Sequence, residues 1–500
     1  MNWKIITKSL RSRDMQKRIF AVLGMLLIFR ALTYVPIPIG NAHTLKTFIT
    51  QLFSSHNTPQ LLSYLNVLSG GALANFSIML VGLGPYINAS IIMQLLTRAI
   101  PKLETLNKEG EFGRKKINQY TRILTFPLAI IQSIGAIYLM NQAAVQLGST
   151  NIVATASIVQ WIIMVGSLTG GSMLLMWLGE LITEQSIGNG ISLLITVGIV
   201  SRLPQSISDV ISALTTNKSK LIVLGHKTII VKQSIFWGAV VLIGITLLTI
   251  LVVKLNEASE RVTINYAKRV KGNRAYGEVT TVLPIKLIAA GVIPIIFAVA
   301  FLSVPSFAGQ LLGGSHSAHL QHIGSLLTKY FQSPSSSTFA AGGYIPYIYP
   351  AVYFLLVFIF TFFYTGITFN AKEIAENLQK QGGFLEGVRA GAQTEKYLSK
   401  KVNRLTLFGA LALGFLALLP IFLQAFINTN VTFGGTSVLI LVAVSLETLR
   451  AIESRALMVT YDQYEQPDFF YEADNAAMAA TGASRLKFIP GRNRKKKENK

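Results

Sequence analysis

The stretch Tyr347-Ile-Tyr-Pro-Ala-Val-Tyr-Phe-Leu-Leu-Val-Phe-Ile-Phe-Thr-Phe-Phe-Tyr-Thr-Gly-Ile-Thr-Phe369 runs 23 residues without one charged side chain. A helix needs about 20 such residues to cross about 30 Å of hydrocarbon. Outward from it, comparable runs recur near 19–39, 76–97, 119–140, 156–182, 188–214, 231–255, 281–311, 404–426 and 432–450. Ten runs of this length predict an all-α integral membrane protein with ten transmembrane helices. The composition points the same way: of 500 residues, 51 % are hydrophobic and 13 % charged, a poor fit to soluble domains. Met1 to Arg18 is basic and precedes an apolar run, as in a secretory leader, but nine further runs make it read as a first span.

An even number of spans puts both termini on one side, and charge decides which. Thirty-seven of the 45 lysines and arginines fall in 1–18, 98–122, 254–286, 370–404 and 447–500, segments that all emerge on the same face. The positive-inside rule makes that face cytosolic, so a multi-pass protein of the cell membrane with both termini in the cytosol is expected. Orientation alone accounts for most of the net charge of +23, which otherwise resembles a nucleic-acid footprint. The loops 254–286 and 370–404 exceed what orientation requires. Each is about 30 residues long, against the 2–8 usual between packed helices, and projections of that length suggest docking of a cytosolic partner.

The chain divides into a cytosolic segment 1–18, a first half 19–214, an external connection 215–230, a second half 231–450 and a basic tail 451–500. Five spans per half means that the halves enter the membrane from opposite sides. Such inverted, pseudo-symmetric repeats commonly place a pathway at their interface.

Several chemistries are excluded. Without cysteine there is neither disulfide nor thiolate metal site, and without a Gly-Lys pair there is no phosphate-cradling P-loop. Glu180 and Glu184 lie at the edge of a span, where helix-end structure suits them better than proton transfer. Arg30 is the charge well inside a span, at a cost of about 2.5–3.5 kcal/mol unless it snorkels or meets a carbonyl. His316, His319 and His322 form an i, i+3, i+6 set in an external loop. Imidazole binds zinc and copper, yet with no carboxylate or cysteine nearby a solvated loop is the plainer reading, so neither metal nor cofactor is expected.

Two local patterns are suggestive. Leu65-Asn-Val-Leu-Ser-Gly-Gly-Ala-Leu-Ala-Asn-Phe76 is amphipathic and too short to cross. It reads equally as an interfacial helix or as a segment buried in the bundle. In Gly82-Leu-Gly-Pro-Tyr-Ile-Asn-Ala-Ser-Ile-Ile-Met-Gln94, Gly84 and Pro85 can break a helix, while Asn88, Ser90 and Gln94 add polarity at successive turns. These polar groups serve either interhelical hydrogen bonds or the lining of a gate.

Strings spread over residues 15–460 resemble the SecY/Sec61 family of protein translocation channels. They include Ser69-Gly-Gly-Ala-Leu73, Pro85-Tyr-Ile-Asn-Ala-Ser-Ile-Ile92, Lys108-Glu-Gly-Glu111, Gln119-Tyr-Thr-Arg122 and Gly188-Asn-Gly-Ile-Ser192. The second half adds Asn265-Tyr-Ala-Lys-Arg269, Ala290-Gly-Val-Ile-Pro294, Phe363-Tyr-Thr365 and Phe433-Gly-Gly-Thr-Ser437. The resemblance implies an hourglass channel pinched by a ring of aliphatic side chains at Leu83, Ile87, Ile191, Ile195, Ile296 and Ile440. A plug around 62–75, with Leu65, Asn66, Ser69, Gly70, Gly71, Ala72 and Leu73, would seal the outer funnel. Asn88, Ile91 and Gln94 on one span and Ala300 and Val304 on another would flank a lateral gate opening to lipid.

The same resemblance implies membrane partners SecE and SecG in a heterotrimer. It further implies docking of the motor ATPase SecA or a ribosome through Lys268, Arg269, Arg274 and Arg389, with signal sequences and unfolded preproteins as cargo. YidC and SecDF are further candidate partners, and the basic loops and tail are candidates for ribosomal RNA or anionic membrane lipids. The chain departs from the family at Ala390, where proline is usual, and at Asn273, where arginine is common. Rival readings are an accessory paralogue with a narrow substrate range, an inverted-repeat secondary transporter, and a membrane-embedded enzyme. A transporter should show ionisable residues near the midplane, which are missing, and an enzyme would need clustered His, Asp or Glu at helix depth, whereas the histidine cluster lies outside the spans.

Overall fold

The computed structural model describes residues 13–37, 69, 72, 76–146, 157–201, 204, 222–223, 226–227, 234–266, 269–271, 274–276, 280–291, 293–313, 317–332, 334, 338–339, 343–426 and 435–462. In chain order these give α1 (Arg13–Leu32), α2 (Gly84–Ala99), α3 (Pro101–Lys108), α4 (Glu111–Gln146), α5 (Ile158–Glu184) and α6 (Gly190–Val200). A small hairpin follows, β1 (Ile222–Val223) and β2 (His226–Lys227), then α7 (Ser234–Glu257). Four strands come next: β3 (Ser259–Tyr266), β4 (Arg269–Lys271), β5 (Arg274–Tyr276) and β6 (Thr280–Lys286). The remainder is α8 (Ile293–Gly313), α9 (Ala318–Phe331), α10 (Ile345–Thr368), α11 (Ala371–Lys380), β7 (Gly383–Leu385), α12 (Ala392–Phe426) and α13 (Gly435–Asp462).

Among the described residues, five helical stretches are long and apolar enough to cross a membrane: Glu111–Asn141, Ile158–Glu184, Ile293–Gly313, Ile345–Lys380 and Ala392–Leu419. Helices α1, α2, α6, α7 and α13 fall on the other five expected spans. Two boundaries differ from the sequence reading. The run from 281 begins as strand β6, and its helix starts only at Ile293. The run from 76 begins as turns, and its helix starts at Gly84 with Pro85 in the first turn, where a missing N–H costs nothing.

The chain divides into two compact units, Met1–Gln16 with Ile452–Lys500 and Lys17–Ala451. In the first, the described residues are the opening turn of α1 and the closing turns of α13. In the second, Arg18 Nη1 donates to Gln185 O (3.3 Å), Arg122 pairs with Glu180 (2.7 Å), and Arg450 Nη2 donates to Asn256 O (3.2 Å). Each contact joins helix ends that the charge pattern assigns to the same, basic side. Arg30 Nη2 donates to Tyr34 Oη at 3.2 Å, and its Cζ lies 5.2 Å from the Tyr34 ring centre.

The two long basic loops are one structured module. Strand β3 pairs antiparallel with β6, from Ser259↔Lys286 to Asn265↔Thr280, and on its other edge with β7, from Ile264↔Leu385 to Tyr266↔Gly383. Along β3, Val262 and Ile264 are buried while Arg261 and Thr263 are exposed, the period-2 alternation of a half-buried strand. They pack on Ile285, Leu378, Leu385, Leu398 and Val402, a small core closed by α11 and the first turns of α12. Lys401 pairs with Glu260 across it.

Candidate functional site

Residues 76–83 carry the chain into α2 without helical structure, and all but the half-buried Ile78 are buried. Met79, Leu80, Val81 and Leu83 are each at most 2 % exposed. Irregular backbone survives at membrane depth only when protein satisfies its polar groups. Here Ile37 N–H donates to Phe76 O (2.9 Å), Ile78 N–H to Val35 O (3.0 Å), and the Ser77 hydroxyl to Leu32 O (2.8 Å). Helix α5 closes the other side. A Cβ on Gly171 would stand 2.1 Å from Ile78 O, so only glycine fits.

The Gly188-Asn-Gly-Ile-Ser192 string has an equally local cause. Asn189 caps α6, its side-chain oxygen accepting from Ile191 N (3.1 Å) and Ser192 N (3.4 Å). Gly190 N–H donates to the Thr183 hydroxyl (2.9 Å), and a Cβ at Gly190 would lie 2.0 Å from Gly179 O. Helix α6 is thereby pinned against the end of α5, which fixes the height of Ile191 and Ile195.

The expected ring residues stand as follows. Leu83 precedes α2 and Ile87 sits one turn on, its N–H donating to Leu83 O (3.0 Å). Ile191 and Ile195 are one turn apart on α6, Ile296 is in the first turn of α8, and Ile440 is in α13. All are buried except Ile191, which is half-buried. Helix α2 packs on α8. Ile295 and Leu439, the neighbours of Ile296 and Ile440, line one small void together with Leu413 and Leu416, so α8 and α13 meet at that level.

The α2–α8 seam carries the expected gate residues. Ile91 and Ala300 are buried, Asn88 and Gln94 half-buried, and Val304 exposed. Gln94 Nε2 donates to the Ser90 hydroxyl (3.0 Å), while Gln94 Oε1 is buried with no hydrogen-bond partner. An unsatisfied buried carbonyl costs about 1–3 kcal/mol, so this polar atom favours any state that hydrates it.

A family model of SecY matches residues 77–449. The chain belongs to the SecY family. Protein translocase subunit SecY of Streptomyces scabiei is 38 % identical over 462 residues, covering 91 % of this chain and 98 % of that protein. The Mycobacterium bovis subunit of the same name is 37 % identical with the same coverage. Among solved structures, a protein-conducting channel matches with TM-score 0.57 at 16 % identity over 87 % of this chain and 90 % of its own. Sec61 of the canine ribosome-channel complex matches with TM-score 0.55 at 16 % identity, with the same two shares. A SecY structure concerned with the plug domain matches with TM-score 0.55 at 18 % identity, over 88 % of this chain and 91 % of its own. The fold is therefore the SecY/Sec61-type membrane channel, ten transmembrane helices in two halves.

Of the expected SecY plug, Ser69 and Ala72 are described and fully buried, and Ser77 N–H donates to Ala72 O (2.9 Å). Leu65, Asn66, Gly70, Gly71 and Leu73 lie outside the described residues. So does Lys268 among the docking residues. Arg269 faces Tyr276 and Arg274 faces Lys271 across the β4–β5 hairpin. Arg389 is exposed in the tight turn between β7 and α12, where its carbonyl accepts from the Thr394 hydroxyl (2.9 Å).

Charge on the basic side is partly self-compensated. The Glu104 carboxyl is held below its usual range by a hydrogen bond from Lys108 (2.7 Å) and by that ammonium's charge. Burial pushes the Lys286 ammonium down, Arg450 adds to the effect, and Glu447 opposes it. Glu180 is engaged by Arg122 in an ion pair between α4 and α5. His319 and His322 lie exposed on α9 rather than in a loop, and His316 is outside the described residues. Among the described residues no cluster of three ligating side chains could hold a metal.

Proposed function

We propose that this chain is the pore-forming subunit of a preprotein translocase of the cytoplasmic membrane, with both termini cytosolic. It conducts unfolded secretory polypeptides and releases hydrophobic segments sideways into lipid. The observation that carries the reading is the α2–α8 seam, where one helix from each half of the chain packs on the other and the buried Gln94 Oε1 has no hydrogen-bond partner.

In this reading Leu83, Ile87, Ile191, Ile195, Ile296 and Ile440 form the constriction, and a narrow apolar neck dewets when empty and so blocks ions. The segment around Ser69 and Ala72 seals the outer funnel. The seam between α2 and α8 opens as the lateral gate. The chain performs no chemistry of its own. Directional work comes from a motor ATPase of the SecA kind or from a translating ribosome, docked on the β4–β5 hairpin and on the Arg389 turn. SecE and SecG complete the membrane complex.

Depletion of the protein followed by pulse-labelling of secreted precursors tests this. Unprocessed precursors should accumulate within a generation. Complementation with Ile440→Asn should restore export yet raise ion conductance of the reconstituted complex. Normal precursor processing after depletion would refute the translocase role for this chain.

A further inference from the structure

Helix α2 ends at Ala99 and α10 at Thr368, and both ends point to the basic side. A helix C-terminus carries about half a negative charge and several carbonyls without intrahelical partners. In α10 the cap residue Phe369 returns its N–H to Thr365 O, which makes Gly366 O the next carbonyl along. That carbonyl accepts from Nη2 of Arg98, a residue of the last turn of α2 and 268 positions away in sequence. One guanidinium thus sits at the tail of its own helix and reaches the tail of another.

The two helices take their main packing from different neighbours. Helix α2 packs on α4, close enough that a Cβ on Gly84 would lie 3.2 Å from Gln132 Oε1. Helix α10 is keyed to α8 by edge-on rings, Phe297 with Phe360 (6.1 Å), Phe297 with Tyr364 (6.2 Å) and Phe301 with Phe360 (6.1 Å). The α2–α8 seam therefore cannot widen at its basic end without pulling Arg98 from Gly366 O. Gly366 also lines a cleft of about 250 Å³ with Asn370, Lys372, Glu395 and Asn403, so a released guanidinium has a carboxylate and two amides within the same cleft.

We propose that Arg98 is a latch across the basic end of the seam, a positioning residue that sets how hydrophobic a segment must be to open it. The proposal rests on the reading of this seam as the lateral gate. Opening gives up one charge-assisted hydrogen bond and leaves two helix C-termini facing each other without the cation that screens them. A strongly apolar segment gains enough from lipid to offset this, and a marginal one does not.

The test uses the full chain in its reconstituted membrane complex, with Arg98→Ala and Arg98→Lys. Insertion is measured for model segments of graded leucine content. For marginal segments Arg98→Ala should raise insertion roughly three- to tenfold, while strongly hydrophobic ones stay unchanged. Arg98→Lys, which keeps the charge but loses the planar fork, should fall between. Spin labels on Leu95→Cys and Val304→Cys, both exposed, should report a longer and broader distance in Arg98→Ala. Unchanged insertion threshold and distance in a stably accumulated Arg98→Ala protein would overturn the latch. Insertion reduced for every segment in step with protein level would overturn it too, as a folding role. A photo-crosslinker at Ile91 separates the levels. If it captures a signal sequence in the otherwise unchanged protein while Arg98→Ala has no effect, the gate reading stands and the latch alone falls. If it captures none, both fall.

Discussion

Two regions of this helical membrane protein use non-helical backbone, and they satisfy it in opposite ways. The turn 76–83 lies inside the bundle, where its N–H and C=O groups are met by residues 32–37 and its flank by the bare backbone of Gly171. The module of β3, β6 and β7 instead pairs its strands with each other and buries a core of seven side chains from Val262 to Val402. The comparison teaches that tolerance to change follows from what replaces water. A sheet at the membrane surface has solvent for its edges, whereas a turn within the bundle depends on one particular neighbour for each group.

The sharpest way to break this comparison is Gly171→Val. Its Cβ would meet the Ile78 carbonyl, which is backbone and cannot swing aside, so thermal unfolding of the purified complex should show a loss of about 3 kcal/mol. A variant as stable as the parent would mean that the turn is not clamped by α5. Next in size is Leu398→Ala in the fully buried core of the module, where a cavity should cost about 2 kcal/mol. The loss should appear as faster hydrogen exchange across 259–266, with exchange in α5 unaffected; acceleration spread evenly through the spans would join the two regions into one unit. The smallest effect belongs to Lys401→Ala. Its partner Glu260 is well exposed, and such pairs contribute about 0.5 kcal/mol or less, so a loss above 1 kcal/mol in the same exchange measurement would show that the module leans on charge rather than on its apolar core.

Legibility in the sequence followed the range of the interactions involved. The apolar runs are local, and each of the ten coincides with a helix among the described residues. Strand β3 was also local, for Val262 and Ile264 alternate with Arg261 and Thr263. The charge of 254–286 masks it, and the apolar residues of β6 run on into the following span, which moves its apparent start back to 281. The pairing of β3 with β7 could not be read at all, since β7 is three residues long and lies more than a hundred positions away. Within the site, the Gly82–Pro85 break was visible, but burial of the residues ahead of it was not. The constriction residues were reached through family resemblance, because an isoleucine in a membrane helix reads alike whether it faces lipid, core or pore.

By itself the sequence determined the bilayer as solvent, the number of crossings and the excess of cation on one face. These depend on runs of side chains that meet water or lipid whatever their neighbours do. Only the tertiary structure decided that the two basic loops share one sheet, that Gly171 and Gly190 are contact points, and that Arg98 meets Gly366. Each of those is a meeting of backbones or charges from distant parts of the chain, and such a meeting has no periodicity to announce it.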